Sequence, residues 1–448
     1  MDWRLDSSPP GILWPAIPAP AAAATLSLLY QLDKSQWLAP QALLQQQLGQ
    51  LRLLLCHARD TVPYYRERMQ AFDPRAPATL DTLAALPILR RLDLLERYAE
   101  LKSEAPPPEH GAVAEARTSG STGAPVRLLK TDLQQAIWNA CTLRDHHWHR
   151  RDLGATLAVI RMGASKQGEN WGPATLGLAQ TGRAHVLDVR SDVEAQLAWL
   201  ERVRPAYLLT YPSNVAALAA FALERGRRLP GLREVRTLGE LLPPETRELC
   251  RQAWGVPVTD FYSAEEAGYI ALQCPQTLHY HVQSESVLVE VLDERGAPAA
   301  EGGTGRLVIT DLHNFAMPLI RYEIGDYAEV GGACECGRGL PALRRIVGRV
   351  RNMLVAPDGR SYWPTFGQRA YLDVAPVIQH QFVLKARDHV EARFVLRSPL
   401  TPAQEAALRK LILAKLPAGM RVSVVQVPAL SRSAGGKYED FLSEVGAR

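Results

Sequence analysis

Cysteine is scarce: six in 448 residues cannot staple a chain of 49.4 kDa, and in a reducing compartment they read as core thiols or metal ligands. Long apolar runs are missing. Nowhere do about 18 uncharged apolar residues follow one another, so no segment suits a bilayer-spanning helix. The apolar N-terminal stretch Pro9 to Pro18 is broken by its own prolines, and Asp2 and Asp6 outweigh Arg4 ahead of it. That is not the pattern of a signal peptide, and a cytoplasmic protein is expected. Charge of one sign is also lacking, with 51 Lys plus Arg against 47 Asp plus Glu and a net charge of +4. No basic block is interleaved with aromatics, so nucleic acid is not an expected partner. What remains is an ordinary globular balance, 47% apolar and 22% charged, on a chain long enough for two or three domains.

Leu repeats at helical spacing over residues 40–58, and a polar-rich helical segment follows from Tyr64 to Phe72, so the first hundred residues read as a helical lead-in. From about 155 the texture changes. ATLAVIR (155–161), HVLDV (185–189), YLLT (207–210), EVRTL (234–238) and PVTDFY (257–262) are short β-rich runs, with helical patterns at Asp192–Arg204 and Ser213–Arg225 between them. Such alternation predicts parallel strands covered by helices, an α/β domain of layered sheets and helices. After Tyr280, VLVEVLDERG and GRLVIT read as antiparallel strands. The tail holds strands at 381–386, 390–396 and 421–427 around a helix from Pro402, begun by the capping box Thr401-Pro402-Ala403-Gln404. The expected organisation is a large N-terminal domain over 1–350 and a small, mobile C-terminal α+β domain over 351–448.

Thr118-Ser119-Gly120-Ser121-Thr122-Gly123-Ala124-Pro125 collects hydroxyls and glycines in one loop. Open backbone N–H groups and side-chain donors of this kind suit a polyphosphate, although the same composition also makes a plain turn. It is not a Walker A loop, because no Lys-Ser/Thr closes it. The motifs beyond it narrow the reading: Leu238-Gly239-Glu240, DFYSAEE (260–266), RYEIGD (321–326), GRVRN (348–352) and GGKYEDF (435–441). In this order and at this spacing the chain resembles the adenylate-forming enzymes, and within them the phenylacetate-CoA ligase and capsular-polysaccharide-type branch.

The resemblance implies a role for each matching residue. Thr118, Ser119, Gly120, Ser121, Thr122 and Gly123 hold the β- and γ-phosphates of ATP. Gly239 and Glu240 border the adenine, with the Tyr262 ring stacked on it. Glu266 is the Mg²⁺ ligand, a hard oxygen for a hard cation; by composition alone Glu265 serves equally. Asp326 accepts from the ribose hydroxyls and Arg349 contacts the ribose or α-phosphate. Lys437 reaches in from the small domain to stabilise charge as a carboxylate attacks the α-phosphate, and Arg351 is the hinge. Trp171, Tyr211 and Ser213, with Tyr262, wall the acid pocket. Three positions depart from the family pattern: Ala124 where many relatives have lysine, Ser263 where glycine is common, and Arg351 where Asp or Lys is usual.

Cys274, His281, Cys334 and Cys336 offer the three thiolates and one imidazole of a closed Zn²⁺ site, with His279 a competing ligand and reduced free thiols the alternative. Cys56, Cys141 and Cys250 lie in helical patterns and read as core thiols. Of His146, His147 and His149, only the first and last share a helix face, which reads as a polar surface. The implied activity is ATP-dependent activation of a carboxylic acid as its acyl-adenylate, then transfer to a thiol, most often coenzyme A. An amine or a carrier-protein thiol is the alternative acceptor, and a nucleotide-binding protein without catalysis the alternative class.

Overall fold

A computed structural model describes residues 3–118, 125–349, 353–355, 361–362, 371, 373–430 and 438–445. They divide into two compact units: Met1–Leu157, Lys166–His185 and Asp260–Ile346 form unit 1, and Ala158–Ser165, Val186–Thr259 and Val347–Arg448 form unit 2. Among the described residues no helix is long and apolar enough to cross a membrane.

Unit 1 opens with α1 (Pro20–Ser35), α2 (Pro40–Thr61) and α3 (Pro63–Arg68), each with proline in its first turn, where the missing N–H is not needed. In α2, Leu51, Leu54, Leu55 and Ala58 recur at helical spacing and are fully buried. The short α4 (Leu80–Ala84) and α5 (Arg91–Glu96) lead to a hairpin of β1 (Val113–Arg117) and β2 (Arg127–Thr131). Thr131 then caps α6 (Asp132–Trp148) by accepting from the Gln134 N–H. The polar surface expected on α6 is not there. Arg144, Asp145 and His146 are buried, because α1 lies against α6 and the polar groups pair internally: Arg151 with Asp145 at 2.7 Å, Arg144 with Glu285 at 2.7 Å.

Seven strands form the sheet of unit 1 in the order β11 (Val287–Leu292), β12 (Thr304–Asp311), β13 (Tyr322–Val330), β14 (Ala342–Arg349), β10 (Tyr280–Val282), β9 (Gly268–Gln273) and β8 (Val258–Ala264). The β11–β12 pair is antiparallel, as the sequence predicts. Unit 1 also holds β4 (Lys166–Gly168), while β3 (Leu157–Arg161), β5 (Ala184–Asp188), β8 and β14 each have residues in both units.

In unit 2 the strands β7 (Glu234–Leu238), β6 (Tyr207–Thr210) and β3 are neighbours in that order, with β6 and β7 parallel. Helices α7 (Val193–Val203), α8 (Pro212–Glu224) and α9 (Pro244–Trp254) supply the crossovers, as the alternation of patterns requires. Leu197, Leu208, Val215, Leu218 and Val235 are wholly buried in the shared core. After the two-residue strands β15 (Leu354–Val355) and β16 (Ser361–Tyr362) comes a four-stranded sheet, ordered β19 (Arg421–Gln426), β18 (His389–Leu396), β17 (Val377–Ala386), β20 (Phe441–Ser443). Its core is separate: Phe382, Phe394 and Phe441 pack with Leu408 and Ile412 of α10 (Pro402–Leu413), whose N-terminus carries the capping box at Thr401 and Gln404.

Candidate active site and metal cluster

In unit 1 the Tyr262 hydroxyl of β8 donates to Asp326 Oδ2 of β13 at 2.6 Å. The two strands stand four places apart, which in a flat sheet is about 19 Å. The sheet is therefore strongly curled. Two features of β12 and β13 allow this: a register shift between Arg306 and Val308, and Gly325 at φ +84°, a left-handed conformation that only glycine takes without strain. Asp326, the next residue, is buried.

The adjacent acids in the β8–β9 turn have different surroundings. Glu265 is 44% exposed and pairs with Lys130 at 2.5 Å, while Glu266 is 11% exposed with Arg91 of α5 at 4.0 Å. Nothing in sequence spacing points to Arg91 or Lys130 as neighbours of these acids. Thr118 closes the β1–β2 hairpin: its N–H donates to the Val126 carbonyl and its hydroxyl accepts from the Val126 N–H, both at 3.0 Å. Ser119, Gly120, Ser121, Thr122, Gly123, Arg351 and Lys437 lie outside the described residues. Trp171, expected in a pocket wall, packs with Leu143 and Leu178 and donates its indole N–H to the Ala155 carbonyl at 2.9 Å.

In unit 2, Tyr211 follows β6 and Gly239-Glu240 follow β7, so all three stand at the carboxyl ends of parallel strands, where open α/β sheets bind ligands. Gly239 has φ +74°, turning the chain so that Glu240 meets the N-terminus of α8. Its Oε2 accepts from the Ser213 N–H at 2.9 Å, a favourable place for a carboxylate beside the positive end of a helix. Its Oε1 accepts from the Tyr438 N–H at 2.5 Å. Arg349 is half-buried at the end of β14.

Cys274, His281, Cys334 and Cys336 come together: all are buried and their ligand atoms lie within 4.8 Å of one another. Cys334 Sγ stands 3.8 Å from Cys274 Sγ, the separation of two sulfurs each about 2.3 Å from a shared tetrahedral ion. His281 Nε2 faces Cys336 Sγ at 3.2 Å while Nδ1 meets the Leu340 carbonyl at 3.3 Å, the tautomer that leaves Nε2 for a metal. His279 is outside the group; its carbonyl accepts from the Cys274 N–H. Burial pushes the Cys274 thiol up, but hydrogen bonds involving His281, Gln276 and Thr277 bring it down to about 5. Cys141 and Cys250 behave as core thiols, each pushed up to about 12 by burial.

No family model matches the chain. It is 28% identical over 355 residues to the phenylacetate-coenzyme A ligase of Thermus thermophilus, covering 75% of this chain and 77% of that one. To the enzyme of the same name from Pseudomonas putida it is 26% identical, over 86% and 89% of the two chains. Among solved structures, 2-hydroxyisobutyryl-CoA ligase matches with a TM-score of 0.71 at 20% identity in its postadenylation state, over 92% of both chains. The same ligase in its thioesterification state matches at 0.59, over 92% and 91%. The chain is thus similar over most of its length to phenylacetate-coenzyme A ligases, and it has the fold of a solved acyl-CoA ligase.

Proposed function

We propose that this protein is an ATP-dependent acid–CoA ligase that joins a carboxylic acid to the α-phosphate of ATP, releases pyrophosphate, and passes the acyl group to the thiol of coenzyme A. The observation that carries the reading is the Tyr262–Asp326 pair, an aromatic residue whose hydroxyl donates to a carboxylate at 2.6 Å across a curled sheet, with Glu266 four residues on in the β8–β9 turn. A nucleoside presents a flat base and two ribose hydroxyls, which a ring and a carboxylate suit. Glu266, a carboxylate beside a cation, would hold Mg²⁺ against the phosphates. Ser119, Ser121 and Thr122 would cradle the β- and γ-phosphates with backbone and hydroxyl donors, and Arg349 would meet the ribose or α-phosphate.

The chemistry asks for positioning and charge stabilisation. The acid's own carboxylate is the nucleophile, so no side-chain nucleophile is required. Lys437 would neutralise the charge that develops on the α-phosphate, and Tyr211 and Ser213 at the α8 N-terminus would line the acid's side. The four-ligand cluster fits Zn²⁺ in donor type, burial and spacing; with all four positions filled by protein it braces the β9–β10 hairpin and takes no part in the reaction.

Pyrophosphate release with ATP, Mg²⁺ and a panel of aryl, arylacetic and aliphatic acids, with and without coenzyme A, tests the reading. Acid-dependent release that rises with coenzyme A supports it. Release indifferent to coenzyme A assigns the acyl group to an amine or carrier protein, and silence with every acid removes the ligase reading.

A further inference from the structure

α8 is held from outside at both ends. At its N-terminus Glu240 joins the Ser213 N–H to the Tyr438 N–H. At its C-terminus the last residue, Glu224, accepts two hydrogen bonds from the Arg397 guanidinium, one of them at 2.6 Å. A helix of 13 residues is about 20 Å long, so the two attachments are widely spaced.

The C-terminal attachment is unusual in its charge. A carboxylate in the last turn of a helix meets the negative end of the macrodipole and is locally unfavourable. Glu224 stands there nonetheless, and Arg397 offsets the mismatch, holding its carboxyl below the usual range. Arg397 is tied to the C-terminal sheet, since it directly follows β18 and its N–H donates to the Pro376 carbonyl at 2.9 Å. The apolar cores on the two sides are distinct: that of α8 with β6 and β7, and that of the C-terminal sheet with α10. Polar attachments between separate cores can part without exposing either core. The Glu224 and Arg397 side chains are 40% and 47% exposed, so water is at hand to receive both.

We propose that Glu224 and Arg397 are positioning residues: their ion pair, with the Glu240–Tyr438 bond at the other end of α8, clasps the C-terminal sheet in the arrangement that forms the adenylate, and the clasp opens before the thiol step. This rests on the ligase reading above. A solved ligase of this fold, 2-hydroxyisobutyryl-CoA ligase, has been seen in a postadenylation state and in a thioesterification state.

Arg397→Ala and Glu224→Gln test the pair away from the substrate residues. Adenylate formation is read as pyrophosphate release without coenzyme A, and the second step as thioester formation from isolated acyl-adenylate. The first step should slow about two- to fivefold, the worth of an exposed ion pair, while the second is unchanged or faster. The exchanged pair, Glu224→Arg with Arg397→Glu, should recover much of the first step, and high salt should bring the unsubstituted protein to the level of the single variants. Equal changes in both steps, no change in either, or failure of the exchange to restore would overturn the proposal. Hydrogen exchange on the ligand-free protein decides it separately from the ligase reading. Faster exchange in Arg397→Ala at the last turn of α8 and at residues 396–397 supports the clasp, and unaltered exchange refutes it even if no acid is found.

Discussion

On the proposal that Cys274, His281, Cys334 and Cys336 hold Zn²⁺, its removal should cost unit 1 stability before it costs chemistry. The cluster ties the two ends of the β9–β10 connection to a loop 55 to 60 residues further on, and without an ion three buried sulfurs and an imidazole are left with weak mutual contacts. An ion present at a hundred times its dissociation constant contributes about 2.7 kcal/mol. In a domain of a few hundred residues each kcal/mol moves the midpoint by about 2–4 °C, so removal should lower it by about 5–10 °C. Metal content by mass spectrometry should give one zinc per chain. Thermal scans with a strong chelator should show the drop and reversal on adding zinc, and Cys336→Ser should show the drop without the reversal. Adenylate formation at 20 °C, assayed after the chelator is removed and Mg²⁺ restored, should survive zinc removal within a few fold, since the ion offers no open position. Protein purified without metal whose midpoint ignores both chelator and zinc would refute the reasoning.

Asp326→Ala should raise the KM for ATP about 10- to 150-fold, the range for losing hydrogen bonds to a charged group, with kcat less affected. Steady-state kinetics check it, and an unchanged KM removes the ribose role. Lys437→Ala should abolish adenylate formation while ATP binding, followed by calorimetry, stays within a few fold; unaltered turnover would exclude it as the charge-stabilising group. Asp311, 4% exposed and accepting from Gln134 Nε2 at 2.5 Å, has its carboxyl pushed up to about 6 by burial. Between about pH 4 and 6 the folded state thus keeps a proton that the unfolded chain has lost, so this group's contribution to stability falls as pH rises through that window. Asp311→Asn should gain relative to the parent by up to about 3 kcal/mol from pH 4 to pH 7, measured by urea unfolding, and a difference flat in pH would contradict the assignment.

The central strands β6 and β7 are legible in the sequence because buried parallel strands read as short apolar runs between helical patterns. The cluster ligands are legible by type, but not the choice between His279 and His281. Alternation puts both on one face of a strand, and only the fold shows His281 held by the Leu340 carbonyl. Curling is not legible at all: Tyr262 and Asp326 are 64 residues apart, and no local pattern announces that strands four places apart will touch. The polar residues of α6 mislead for a related reason, since Arg144, Asp145 and His146 look like a wetted face until α1 and the Glu285 carboxylate cover them. Glu240 shows a third kind of gap, because its partners are backbone N–H groups, which every residue but proline carries.

The long return of the chain in unit 1 bears on how the protein is made. The Tyr65 hydroxyl donates to the Pro318 carbonyl, 253 residues later, and Gln47, Gln50 and His57 likewise contact backbone carbonyls between 284 and 315. At the usual pace of translation those partners emerge about 10–50 s after the helices that need them. Throughout that interval the apolar sides of α2 and α3 lack the part of their core supplied by 267–343, while the strands and helices of 186–259 are already complete and can fold beside the ribosome. A nascent chain arrested near residue 260 should therefore hold a partly formed unit 2 and an N-terminal segment that binds chaperones, and no truncation before β13 should yield a soluble N-terminal fragment.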